Sequence, residues 1–394
     1  MVKFKNKLVS IQLLLVFLIP ITPHLEITNN IQLDDIPIFL FFLIFVINVF
    51  TKNINNLFFK ETLPFIYFII YITAQNFIIN SELLYSENLR YLFYLVIFIT
   101  ILNDYSSKFV KDLYFYLVLF LGSFSILFYF FELNLGTDSY NYWNIGFNQN
   151  DWVFTNGRMN GFQAGGPNAF GGLIASLTLF CSCSYKGFNQ NLLIAVGTLG
   201  CFFTYSRGAF VILIFFLLLY LILSKNIQTS LVLLSTFILI LNFGLVERFS
   251  SDVENQGIED RVEWQQASLS SISERSFINN LFGLGHGNIG IVDDEVGNLD
   301  NFSVDSRPTG PHNSFLYMIM KYGFFGLFLF LNVFIRMFFK FLKDFKSNLQ
   351  DPMYLFLGSF VALSFTGDFI QNHSISVLFF LTFFILEKNK KNVE

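Results

Sequence analysis

Charge is what this chain has least of. Charged residues make up 13% of its 394 positions, against 54% hydrophobic, where a soluble domain carries about 25% charged. The apolar runs recur from end to end, which excludes a globular enzyme held by one anchor. Cysteine is almost absent, and Cys181, Cys183 and Cys201 all lie inside apolar runs. An odd, membrane-buried set builds no disulfide framework; these read as small packing residues rather than a C-x-C metal or redox pair. The four histidines, His24, His286, His312 and His373, show no H-x-x-H or H-E-x-x-H spacing, so no metal site is expected. A P-loop is missing too, since Gly283-Leu284-Gly285-His286-Gly287 is only a glycine-rich turn. The acids Asp293, Asp294 and Glu295 lack the spaced ligands and turn glycine of a calcium loop. With Asp300 and Asp305 they read as flexible loop. No cofactor and no nucleic-acid partner are expected. The 56 Phe look like coding bias and carry no functional reading.

What is present in quantity is bilayer-length apolar sequence. Windows near 8–23, 36–51, 63–80, 86–103, 113–132, 168–185, 190–205, 208–224, 229–246, 314–337, 352–367 and 373–387 predict an all-α integral membrane protein of about twelve spans. Lys3, Lys5 and Lys7 precede the first. No small-x-small cleavage site follows it, so it reads as an uncleaved span. With both termini in the cytoplasm, every inner segment carries at least one Lys or Arg, as the positive-inside rule requires. The chain then reads as one polytopic domain over 1–394. Two outer segments exceed simple turns, Leu133–Pro167 and the 66 residues Glu247–His312. The second is long enough for short helices over the membrane, and Val262, Leu269, Ile272 and Phe277 fall at helical spacing within it.

On this topology the cations sort by type. Fifteen Lys and Arg336 lie inside; Arg90, Arg158, Arg207, Arg248, Arg261, Arg275, Arg307 and Lys321 lie outside. Outer arginines oppose the positive-inside rule and need another cause. A guanidinium grips phosphate with a planar, always-charged fork. The pattern points to an anion site on the outer face.

Specific candidates follow. Arg207, in Tyr205-Ser206-Arg207-Gly208, occupies the tight outer turn between two spans; it either snorkels to the interface or holds an anion. Arg158 stands in Gly157-Arg158-Met159-Asn160-Gly161, just before Gly165-Gly166-Pro167-Asn168. Arg261 and Trp264 lie one helical turn apart and can face one groove. The indole can stack on a sugar ring or anchor at the interface. His312 precedes Asn313 and Ser314 where the long outer segment enters a span. It offers an imidazole able to take a proton from a hydroxyl, while Asn313 or Ser314 can cap the helix.

The order of these residues resembles a family. Arg158 with Gly161 and Pro167-Asn168 is followed by Ser206-Arg207-Gly208. Arg261 with Trp264 comes next, then Gly283-x-Gly285-x-Gly287, then His312-Asn313 with Tyr322-Gly323 and Gly326. Over about 155–335 this is similar to the O-antigen ligase and O-antigen polymerase superfamily of bacterial surface-polysaccharide enzymes. The resemblance implies a membrane-embedded, metal-independent glycosyltransferase acting outside the cytoplasmic membrane. Its implied donor is a glycan on undecaprenyl pyrophosphate. It implies His312 as the loop histidine, here read as catalytic base. It implies Arg207 and Arg261 as the family's characteristic arginines; with Arg158 they are expected to bind the pyrophosphate, and Trp264 and Asn313 are expected to contact the glycan. Polymerisation of lipid-linked repeat units is the leading expectation. An O-antigen ligase using a lipopolysaccharide core as acceptor is the alternative, and a lipid-linked oligosaccharide flippase is the alternative outside enzymes. The expected partners are the lipid-linked glycan, the bilayer and other polysaccharide-assembly proteins.

Overall fold

The computed structural model describes residues 2–23, 26–28, 31–33, 35–51, 54, 59–80, 86–103, 106–135, 145–148, 158–162, 166–242, 253–285, 313–343, 351–365, 367, 369–370 and 372–391. Helices dominate, and most of them overlap the apolar windows. In chain order they are α1 (Val2–Leu18), α2 (Asp35–Phe50), α3 (Leu63–Asn80), α4 (Ser86–Asn103), α5 (Ser107–Phe130), α6 (Gly166–Ser184) and α7 (Phe188–Phe203). After these come α8 (Arg207–Ser224), α9 (Ile227–Asn242), α10 (Val253–Glu274), α11 (Phe277–Phe282), α12 (Ser314–Lys343), α13 (Pro352–Ser364) and α14 (His373–Lys391). Among the described residues, four stretches are long and apolar enough to cross a membrane: Lys60–Ile79, Lys108–Phe130, Arg207–Ser224 and Ser314–Ile335. Shorter apolar helices accompany them. Large apolar side chains such as Phe39, Phe50, Ile78, Phe188, Ile222 and Ile227 are exposed on these helices, as lipid-facing surfaces require. This is a multi-pass membrane protein.

The helix starts have local causes. Ser106 accepts from Phe109 N at 3.3 Å. Asp351 accepts from Met353 N at 2.8 Å and is followed by Pro352. Both are N-caps that satisfy a free helix donor. The N-terminal lysines fall inside α1 rather than ahead of it.

α6 lies at the centre, packed by α5, α7, α8 and α13. It is rich in Gly, Ala, Ser, Thr and Cys, and most of its residues are buried. Small residues let membrane helices approach closely. Gly122 of α5 and Gly200 of α7 do the same: a Cβ added at Gly200 would lie 2.7 Å from Gly122 Cα. Cys181 and Cys201 are buried in this packing, with the Cys201 thiol 3.6 Å from Gly171 O.

Beside it, α3, α4, α12 and α14 interlock through aromatic rings. Tyr94 stacks on Phe380 at 4.4 Å and Phe98 on Phe384 at 4.1 Å; Phe68 meets Phe330 edge-on at 5.4 Å. Buried hydroxyls tie helices across the apolar interior, Tyr94 Oη to Ser376 Oγ and Tyr114 Oη to Thr382 Oγ1, both at 2.5 Å. A buried hydroxyl without such a partner would be strongly disfavoured.

Candidate functional site

Two strands, β1 (Gly146–Asn148) and β2 (Arg158–Asn160), form a small antiparallel hairpin pairing Asn148 with Arg158 and Gly146 with Asn160. Further backbone bonds attach it to the end of α5, from Phe147 N to Leu133 O at 2.8 Å and Leu135 N to Ile145 O at 2.9 Å. Phe147 packs on Tyr129 of that helix at 5.5 Å. The predicted segment 133–167 is therefore structured against the bundle where it is described.

This hairpin carries Arg158 inward. Its side chain is only 8% exposed. Nε donates to Thr204 O at 3.4 Å and Nη2 to Asn168 Oδ1 at 3.2 Å. Thr204 begins the turn that holds Arg207, so one guanidinium is docked on the backbone that presents the next. Burying an unpaired arginine at bilayer depth costs roughly 2.5–3.5 kcal/mol or more; these acceptors offset that.

The turn itself is unusual. Tyr205 adopts φ +56°, sparsely populated for a residue with a Cβ. It is held there by Tyr205 N to Phe202 O at 2.9 Å and by its hydroxyl, 2.8 Å from that of Tyr129. Ser206 precedes α8 but supplies no side-chain cap. Arg207 is half-buried at the first helical position. A helix start with backbone donors, an arginine on it and a second arginine behind it can bind an anion.

A second cluster surrounds α12. The sequence predicts one continuous span from residue 314, but the helix breaks at Gly323, which has φ 69° and ψ 179°. Gly283, just after α11, mirrors it with φ 77° and ψ −179°. That region belongs almost only to glycine. A Cβ on either glycine would strike the backbone of the other's segment. Carbonyls at the break are met by donors from outside the helix. Leu284 N reaches Met320 O at 3.2 Å and Gly285 N reaches Lys321 O at 2.9 Å. Arg275 Nη1 donates to Met320 O at 3.3 Å, its Nη2 to Ser271 Oγ at 3.2 Å. Lys321 is 2% exposed, with Nζ 4.2 Å from the centroid of the Tyr317 ring. Spacing alone had not singled out Arg275, Lys321 or Asn168 as interacting residues. Their signal lay in the outer arginine count, the lone outer lysine and the Pro167-Asn168 pair.

The predicted helix within 258–281 exists as α10, with α11 beyond a break at Arg275–Ser276. Its packed face differs from the apolar spacing. Ser268, Ser271 and Ile272 are buried and Trp264 is half-buried, whereas Val262, Leu269 and Phe277 are exposed. Position 261 falls on the same stripe as Trp264 and Ser268 by helical register. The Arg261 side chain lies outside the described residues.

At the head of α12, Asn313 is a helix cap. Its Oδ1 accepts from Phe315 N at 3.0 Å and Leu316 N at 3.2 Å, and Nδ2 donates to Phe365 O at 3.3 Å. Ser314 Oγ donates to Gly367 O at 2.9 Å. His312, directly before this cap, lies outside the described residues. So do His286 with Gly287, the acids from Asp293 to Asp305, Arg248 and Arg307. Among the described residues, no group of three or more His, Cys, Asp or Glu is placed to hold a metal.

A comparison with curated proteins finds none that matches the chain. A family match runs from within α7 to within α12, and so takes in the Arg207 turn, α10 and the broken helix. Residues 192–331 match the family model described as O-antigen ligase, and this match supports the likeness of the segment to the O-antigen ligase and polymerase superfamily.

Proposed function

We propose that the protein polymerises lipid-linked oligosaccharide repeat units, by inverting glycosyl transfer from an undecaprenyl-pyrophosphate-linked glycan on the outer face of the cytoplasmic membrane of a bacterium. The observation that carries this reading is the buried Arg158, bound to the very turn that presents Arg207, in a chain with an O-antigen ligase segment. The topology that goes with it has about twelve spans, cytoplasmic termini, residues 247–312 as an outer subdomain and 155–335 as the catalytic region.

Pyrophosphate is already a good leaving group. The enzyme must balance the charge that builds on it as the glycosidic bond breaks. Fixed guanidiniums do this by preorganised electrostatics, usually the largest catalytic contribution. Arg207, Arg158 and Arg261 take this role, without a metal. The acceptor hydroxyl is a poor nucleophile. His312 removes its proton from the opposite face of the sugar, worth about 10²–10⁴-fold. A single displacement inverts the anomeric carbon. Trp264 supplies an aromatic surface for the glycan. Asn313 is assigned to the glycan side and is the next residue in the chain after His312.

The family's description favours a second reading, an O-antigen ligase that uses the same donor and a lipopolysaccharide core as acceptor. One experiment tests both. Purified protein in lipid nanodiscs is given a polyprenyl-pyrophosphate-linked repeat unit, alone or with core lipopolysaccharide. A ladder from the lipid-linked unit alone supports the polymerase. Transfer only when core is present establishes the ligase. Absence of glycosyl transfer in both arms, with folded protein, would overturn the enzyme reading.

A further inference from the structure

Two side chains of α3 reach across to the break in α12 and to the chain that follows α11. The Tyr71 hydroxyl is 2.9 Å from Phe282 O and 2.7 Å from Tyr322 O. One proton is shared between two carbonyls from different parts of the chain. The Gln75 amide has two protons and uses them separately, one on Lys321 O at 2.9 Å and one on Phe282 O. Each side chain thus joins the 282–285 segment to the interrupted helix. Gln75 is 5% exposed, so these bonds form where water does not compete. The left-handed pair Gly283 and Gly323 lets the two backbones meet at that point, and Arg275 adds its bond to Met320 O from the end of α10.

The consequence concerns α10. That helix is fixed to α12 through a short connection, Arg275 to Gly285, and α12 is itself interrupted where the connection docks. Without the α3 contacts, two carbonyls of the broken turn and one at the end of α11 would lose donors, and the docking would loosen. The α10 stripe bearing Arg261 and Trp264 would then lose its fixed distance to α12. We propose that Tyr71 and Gln75 are positioning residues of the transfer site, locking α10 to the broken helix so that its donor-binding stripe is held in place. This rests on the glycosyltransferase reading above for its functional consequence, though the lock itself does not.

The test uses Tyr71→Phe and Gln75→Met in the full-length protein. The first removes only a hydroxyl and keeps the ring that meets Phe325 edge-on at 5.1 Å; the second is close in volume and has no donor. Hydrogen exchange reads the lock directly. The Leu284 and Gly285 amides should be protected in the wild type and exchange about tenfold faster in each variant, the loss expected for about one buried hydrogen bond. Transfer kinetics read its purpose. Each variant should raise the donor KM about fivefold or more, while the folded fraction stays that of wild type. A fall in kcat in proportion to folded protein, with KM unchanged, would mean a merely structural role and overturn the proposal. Unchanged exchange at Leu284 and Gly285 would also overturn it. If no form of the protein, wild type included, transfers glycan, the exchange result still decides the lock, and only the glycosyltransferase reading falls.

Discussion

At the residue scale, the strongest predictions concern His312 and Arg207. His312→Ala should abolish transfer while membrane insertion and yield stay normal. A gel of surface glycan would then show single repeat units, or no lipopolysaccharide ladder in the ligase case. Full-length ladders from well-expressed His312→Ala protein would remove it as the base. Arg207→Lys should be nearly as damaging as Arg207→Ala, because an ammonium cannot supply a bidentate fork; near wild-type kcat/KM in Arg207→Lys would show that plain charge suffices. The placement of Arg158 sharpens this expectation. Its guanidinium binds Thr204 O and Asn168 Oδ1, so part of its role is to brace the turn that presents Arg207.

At the element scale, the break in α12 is the feature whose chemistry is easiest to disturb. Gly323 lies at φ 69° and ψ 179°, where a residue with a Cβ is strained by about 1–3 kcal/mol. Its added methyl would also meet Leu281 O and Gly283 N. Gly323→Ala should therefore displace the 281–285 segment and lower thermal stability by several degrees, measured by dye-monitored unfolding in detergent. Gly358→Ala is a useful control, because there the nearest atoms to a new Cβ are ordinary contacts at 3.6 Å. Equal stability of the two variants would show that the break tolerates a side chain. The same reasoning separates α10 from its apolar spacing: Val262 and Leu269 are exposed while Ser268 and Ser271 are buried beside Ile272, so small polar residues share the packed face of the helix.

At the scale of the whole molecule, the proposed topology and charge balance can each be checked. Tags at Gly146 and Asp300 should read as external, and tags at Lys346 and Glu394 as cytoplasmic. A cytoplasmic readout at Asp300 would put the 247–312 segment on the wrong side for an outer-face enzyme. Transfer should also persist in excess EDTA and in an Asp293/Asp294/Glu295 triple-alanine variant, since in the proposed mechanism arginines supply the fixed positive charge. Loss in both, with rescue of the wild type by Mg²⁺, Mn²⁺ or Ca²⁺, would make this a metal enzyme and assign Arg207 and Arg261 to structure.

Hydropathy by itself determined that the chain is helical and membrane-embedded, because a bilayer leaves the backbone few ways to satisfy its own polar groups. Residue order by itself pointed to a resemblance to the O-antigen ligase and polymerase superfamily, since the succession of Arg207, Arg261 and the glycines of 283–287 is legible whatever the packing. Other features needed the third dimension. Asn313 was legible as a cap from its place before an apolar run, but its bond to Phe365 O joins residues far apart in the chain. Arg158 and Thr204 are brought together only by the β1–β2 hairpin lying on α5 and α6. Tyr71 and Gln75 read as ordinary polar positions in a span, because nothing local reveals that α12 unwinds opposite them. The break is a tertiary decision. Gly323 permits it, but the carbonyls it frees stay buried only because donors from α3, from Arg275 and from the 284–285 backbone arrive to meet them.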